Sequence, residues 1–258
     1  MKHFKRTIVF ILALVMTVTL LPAAVQAAST KTVYVVSGVK VKEGKTTTEI
    51  TLSYNDNGLL KKIASTYADE KVSETFAYNN KNLLKKYVNK VLTGKHKGTV
   101  DTSTYKYYSS GLRKSKSENE GEPVTYQYNK KNQIISETGE HGSTQYTYNK
   151  YGHVRKTASD DGNFSYSATF DDNGNITKWA RKFQTEKIGY GTYTITYNSA
   201  GRVKTIKGTE KANPMAPEHT RTLTFTYTKM KVSADLADAI AEQQWQFINR
   251  NSGVAFAW

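Results

Sequence analysis

The sequence predicts a mainly β fold: a curled antiparallel sheet or open barrel of about eight β-hairpin repeats, with a C-terminal helix packed on or plugging the concave face. Three observations predict it. A pattern of an aromatic residue, a glycine or asparagine four places on and an aliphatic six places on recurs along the chain. An apolar residue also stands two places before most of these aromatics. One amphipathic stretch, "SADLADAIAEQQWQFINR" (233–250), follows the last copy.

The N-terminus opens with basic Lys2, Lys5 and Arg6, continues through an uncharged run from Ile8 to Leu21, and ends in small residues, "PAAVQAAS". These are the three parts of a secretory signal peptide, predicted for residues 1–27. The run is shorter than the ~20 residues a bilayer-spanning helix needs. A repeat domain is expected over 28–232, and a helix with a short tail over 233–258. No second run of that length occurs, so no transmembrane helix is expected once the signal is cleaved. Cysteine is absent, which excludes disulfides, thiolate metal sites and the acylated cysteine of a lipoprotein. The expected address is the cell envelope or the extracellular space.

Aligned on the aromatic, Tyr54 has Gly58 at +4 and Leu60 at +6, Tyr78 has Asn82 and Leu84, and Tyr128 has Asn132 and Ile134. Tyr148 has Gly152 and Val154, Phe170 has Gly174 and Ile176, and Tyr197 has Gly201 and Val203. Tyr107 keeps Gly111 but carries Leu112 one place early, and the copy at Tyr227 loses the turn. Asn or Asp holds +1 in six of the eight copies, and anchors are 20 to 30 residues apart, a repeat spacing.

Alternation at −2 and 0 is the period of a strand with one apolar face. Gly or Asn at +4 marks a residue at positive φ, which these two types reach most cheaply. A type I turn closed by such a residue gives a three-residue hairpin with a bulge. There +1 pairs with +5, so the anchor faces +6 and aromatic meets aliphatic across the strands. Positions +1, +5 and +7 then face the other way and are mostly polar, with Leu59, Leu83 and Ile135 as exceptions.

These motifs resemble the YD repeats of RHS-type proteins, whose core reads Tyr-x-Tyr-Asp-x-x-Gly-Arg-Leu. "YTYNKYGHV" (146–154), "ATFDDNGNI" (168–176) and "ITYNSAGRV" (195–203) match best, and the resemblance covers about residues 50–232. It implies curled, shell-like sheets, which in large members enclose a toxin domain. In size the chain resembles the small exported YD-repeat-like proteins of bacteria. The repeat motif contains no catalytic residue to carry over.

The last element has Ser233 as a candidate N-cap and Asp235 in its first turn, with Leu236, Ile240, Ala241, Trp245 and Ile248 on one face. "VAFAW" (254–258) alternates like a short final strand.

Removing the three basic residues of the signal from a net charge of +15 leaves about +12, which favours anionic partners. The histidines left after signal removal, His96, His141, His153 and His219, fall in or beside predicted loops without metal-ligand spacing. "DDNGNI" lacks the glycine and acid placement of a calcium loop, and no nucleophile or phosphate-binding motif occurs. No catalytic residue, metal or cofactor is therefore assigned, and burial of the tyrosines together with export argues against nucleic acid. The expected function is a non-enzymatic exported binding or scaffold module. Its contact with an anionic polymer or glycan is placed on the long-loop edge, at Lys95, His96, Lys97, Tyr190, Lys207 and Lys211, because variable loops on a rigid scaffold carry recognition. One alternative is a glycan hydrolase using two carboxylates from Glu118, Glu120, Glu122, Glu137 and Glu140. Another is a choline-binding-like wall-attachment module, although Trp179, Trp245 and Trp258 lie outside the anchors.

Overall fold

The computed structural model describes residues 29–67, 70–211 and 213–250. The expected signal peptide and the "VAFAW" stretch lie outside the described residues. Seven hairpins follow one another: β2 (Thr46–Tyr54) with β3 (Leu60–Tyr67), β4 (Glu70–Tyr78) with β5 (Leu84–Val91), β6 (Val100–Tyr107) with β7 (Arg113–Glu118), and β8 (Val124–Tyr128) with β9 (Ile134–Gly139). Then come β10 (Gly142–Tyr148) with β11 (Val154–Ser159), β12 (Phe164–Phe170) with β13 (Ile176–Phe183), and β14 (Glu186–Tyr197) with β15 (Val203–Lys211). They are flanked by β1 (Thr30–Glu43) and β16 (His219–Ser233), and a single 3-10 turn leads into α1 (Ala237–Arg250).

The sheet is a closed antiparallel barrel of sixteen strands, not the curled sheet or open barrel of eight repeats that the sequence predicts. The reason lies outside the seven hairpins. β16 is the up-strand of the copy that lost its turn, and β1, which precedes the first repeat, stands in for its missing down-strand. The two pair from Thr30↔Ser233 to Glu43↔Arg221, so neither edge is left unpaired.

The tight turns share one backbone geometry, and six of the seven share one side-chain brace, the third having Tyr108 at +1 instead. The +4 residues lie at positive φ, from 60° at Asn82 to 87° at Gly111. The +1 side chain accepts from two turn amides: Asn55 Oδ1 takes Asn57 N–H at 3.1 Å and Leu59 N–H at 2.9 Å, and Asp171 Oδ1 takes Asn173 N–H at 3.0 Å and Asn175 N–H at 2.8 Å. That is why +1 is Asn or Asp.

Anchor and +6 face each other, as in Tyr54↔Leu60 and Tyr148↔Val154. The register then slips by one residue, so Ser53 meets Lys62 and two successive residues, Lys61 and Lys62, lie on the outside. This is a β-bulge. In most units the carbonyl at +6 beside the bulge is met by the anchor hydroxyl of the next unit: Tyr78 donates to Leu60 O at 2.7 Å, Tyr107 to Leu84 O at 2.8 Å, Tyr128 to Arg113 O at 2.6 Å and Tyr227 to Val203 O at 2.8 Å, whereas Tyr197 donates to the Asp171 carboxylate. The series continues across the seam, where Tyr54 donates to Val36 O. Tyrosine is thus needed for its hydroxyl as well as its ring.

The inner face carries the core. In the third unit the structure keeps +6 and buries Arg113 there, its guanidinium 4.7 Å from the Tyr105 ring and 5.4 Å from the Tyr126 ring. Among the described residues the outer face carries mainly Thr, Ser, Lys and Gln, with large apolar side chains such as Tyr34 and Phe164 exposed singly or in pairs and not as the continuous band of a membrane-spanning barrel. Among the described residues no helix is long and apolar enough to cross a membrane.

Candidate functional site

The two mouths of the barrel differ. All the Asn-x-x-Gly turns rim one mouth, and α1 lies across it. Leu236 and Ile240 pack on Val35, Leu59 and Val232, while Phe247 and Ile248 join the main core. Leu59, under the helix, and Leu83 are both buried and not outward-facing exceptions. Ser233 makes no side-chain cap, and Ala241 is exposed, contrary to the helical face expected for it.

The plug is tied to both walls by polar side chains. Gln244 Oε1 accepts Val36 N–H at 2.7 Å and Gln243 Oε1 accepts Leu60 N–H at 3.0 Å. Across the mouth Trp245 Nε1 donates to Gly174 O at 2.8 Å, and Asn249 Oδ1 accepts Ile176 N–H at 2.7 Å. His153 is not an exposed loop residue, because its ring stacks on Trp245 at 3.5 Å. Burial pushes its imidazole down to about 4. Deeper in, Arg250 forms a forked pair with Glu74, Nη1 to Oε2 at 2.8 Å and Nη2 to Oε1 at 2.5 Å. Tyr87 donates to the same carboxylate at 3.2 Å.

Further from the plug, the inner wall carries tyrosines and ions together. Trp179 Nε1 donates to Tyr193 OH at 2.8 Å, Tyr193 donates to Glu210 Oε2 at 2.7 Å, and Arg221 Nη2 meets Glu210 Oε1 at 2.8 Å. Gly208 makes room for this cluster, since a Cβ there would stand 2.2 Å from the Tyr193 ring. Glu137 bonds Tyr146, and burial raises its carboxyl above the usual range. Burial likewise raises the hydroxyls of Tyr87, Tyr146 and Tyr193, which stay protonated. Each of these buried carboxylates is engaged by an arginine or a tyrosine. Of the other acids considered for glycan cleavage, Glu118 pairs with Lys116, and Glu120, Glu122 and Glu140 are exposed. Among the described residues no group of His, Cys, Asp and Glu could hold a metal. Trp179 is buried in the wall and Trp245 is committed to the plug.

The six residues assigned to a contact edge lie towards the unplugged mouth, but not together. Lys95, His96 and Lys97 are exposed on the β5–β6 loop. His96 is tied to Glu70, Nδ1 to Oε1 at 2.7 Å, and its hydrogen bonds hold the Glu70 carboxyl below the usual range. Lys207, Lys211 and Tyr190 stand on β14 and β15, not on loops, because those strands run longer than the sequence implied. Tyr190 and Lys211 are register partners, Tyr190 donates to Glu218, and Lys187 Nζ lies 4.0 Å from its ring centroid. β5–β6 and β14–β15 are on opposite walls of the sixteen-strand ring. A round section of that size is roughly 30 Å across. The sequence also missed the inner Tyr–Glu–Arg clusters. Charged residues at strand positions that alternate with exposed ones, such as Glu74 and Glu210, were the available signal.

No family model matches the chain, and no curated protein matches it in sequence; the YD-repeat resemblance is one of motifs alone. Solved structures of similar shape include a porin-like protein from Bacteroides uniformis, 16% identical with a TM-score of 0.47, covering 75% of this chain and 98% of that one. A porin-like protein from Bacteroides vulgatus is 8% identical with a TM-score of 0.39, again over 75% and 98%. A chain of the TcdB2-TccC3-Cdc42 structure is 12% identical with a TM-score of 0.31, over 68% of this chain and 10% of that one.

Proposed function

We propose that this chain is an exported, non-enzymatic binding or scaffold barrel of the cell envelope or extracellular space, which contacts an anionic polymer or glycan at its unplugged mouth. The observation that carries the reading is a set of four lysines towards that mouth, whose other loops and strand ends carry acids such as Glu118, Glu120, Glu122, Glu140, Asp160 and Asp161. Lys95 and Lys97 on one wall, and Lys207 and Lys211 on the other, form no ion pair among the described residues. The two pairs stand on opposite walls, and Lys207 and Lys211 point outward beside inward Ile206 and Glu210, so an extended ligand suits them better than a compact one. Among the described residues Glu74 and Glu210 are held by arginines and Glu137 by Tyr146, which supports binding over hydrolysis.

The test is retention of the purified chain on immobilised polygalacturonate at two salt concentrations. Substituting Lys95 and Lys97, or Lys207 and Lys211, by Gln should each weaken it. Retention that ignores salt and survives both pairs of substitutions would refute the reading.

A further inference from the structure

We infer a second anion-binding surface: a belt of lysine and arginine on the outer wall, next to the plugged mouth, around which a flexible linear polyanion wraps. It rests on the same reading of the partner as an anionic polymer, but it lies on a different surface.

The bulge creates the belt. In each unit it turns two successive residues, +7 and +8, to the outside. Those doublets are Lys61–Lys62, Lys85–Lys86 and Arg155–Lys156, all exposed. Lys114, Lys178 and Lys204 supply single charges on β7, β13 and β15. β9 and the seam strand β1 lack one, and exposed Lys130 and Lys131 occupy the turn leading into β9.

The charge is uncompensated. Lys62 lies between Ser53 and Thr75, and Lys86 between Ala77 and Thr104. Lys156 lies between Thr147 and Ser167, and Lys178 between Thr169 and Thr192. Every cross-strand neighbour is neutral. No belt residue forms an ion pair among the described residues. Meanwhile Glu74 and Glu210 are spent inside the barrel.

The shape selects the partner. The charges recur at every second strand, roughly 10 Å apart along the wall. They circle a convex surface, so a flat bilayer could touch only one side of the belt. A flexible chain could follow all of it, over a perimeter of about 100 Å.

The experiment measures binding of size-fractionated polyphosphate, and separately of phosphatidylglycerol–phosphatidylcholine vesicles, to the whole chain and two variants. One variant replaces Lys61, Lys62, Lys85 and Lys86 by Gln, the other Lys95, Lys97, Lys207 and Lys211. Circular dichroism melts first establish that both remain folded, as exposed lysines allow.

The belt predicts that affinity climbs with polymer length up to about 100 Å, beyond the roughly 30 Å that a rim contact could use. It also predicts that the belt variant loses about tenfold or more in affinity with a shallower salt dependence. Loss confined to the rim variant, with saturation at the short length, overturns the belt and leaves the rim reading standing. Loss confined to the belt variant does the reverse. Binding to vesicles but not to polymer, or no binding at low salt, also overturns the belt.

Discussion

Replacing Tyr128 or Tyr148 by phenylalanine tests why the repeat uses tyrosine. Each change removes one oxygen and keeps the ring. Tyr128 donates to Arg113 O at 2.6 Å, and Tyr148 donates to Ile134 O. Both carbonyls belong to buried residues beside a bulge, where the ladder shifts. Losing a net hydrogen bond costs about 1 kcal/mol, and leaving a buried acceptor unmet raises that to about 1–3 kcal/mol. We take about 2 kcal/mol per site, which for a domain of this size lowers Tm by about 4–8 °C. Tyr151→Phe is the control, since its hydroxyl reaches Asp172 O at 2.8 Å from an exposed turn; it should cost no more than about 0.5 kcal/mol. Phe170, the anchor that lacks a hydroxyl, gives the reverse experiment: Phe170→Tyr supplies a donor at the equivalent place and should gain up to about 1 kcal/mol. The assay is urea unfolding with thermal melts alongside. If Tyr128→Phe and Tyr148→Phe are as mild as Tyr151→Phe, the hydroxyl chain does not hold neighbouring units together.

The plug and the turns yield three further predictions. Arg250→Met strands Glu74 in the core and should cost about 3–5 kcal/mol, while adding Glu74→Gln should recover part of it; a double variant no more stable than the single one contradicts the pairing. Gly201→Ala should cost about 1–2 kcal/mol from positive φ alone, because no atom lies within 4 Å of the new Cβ. Gly58→Ala should cost more in the same unfolding assay, because its Cβ would stand 2.5 Å from Val232 Cγ1 under the plug. His153 has a folded pKa of about 4, below its unfolded 6.5. The unfolded chain therefore binds the extra proton between those values, and stability falls as pH drops through that window. His153→Phe should flatten the fall, by about 2 kcal/mol after discounting for partial exposure; an unchanged slope of Tm against pH between 6.5 and 4 goes against it.

What could be read from the sequence was local. Tyr54, Gly58 and Leu60 sit within seven residues, and turn geometry alone sets Tyr54 against Leu60. Closure was not legible, because the β1–β16 pairing joins segments almost a chain length apart and neither carries the repeat motif in full. The bulge was invisible too, since an inserted residue such as Lys61 looks like any exposed lysine. For the same reason the belt was not legible: Lys62, Lys86 and Lys156 are far apart in the chain, and only the barrel brings them to one level. In the Tyr107 copy Leu112 masked Arg113 at +6, because charge at a core position is rare and its burial between two tyrosine rings needs the strands on both sides.

The split hairpin at the seam has a kinetic consequence. The seven hairpins of β2 to β15 can nucleate alone, but the final joint waits for segments of very high contact order to meet, so folding should be slow. Until then the molecule is a ribbon with two adhesive borders, each a template for a second copy. A chain deprived of Thr30–Glu43 would keep those borders permanently and should be found as multimers.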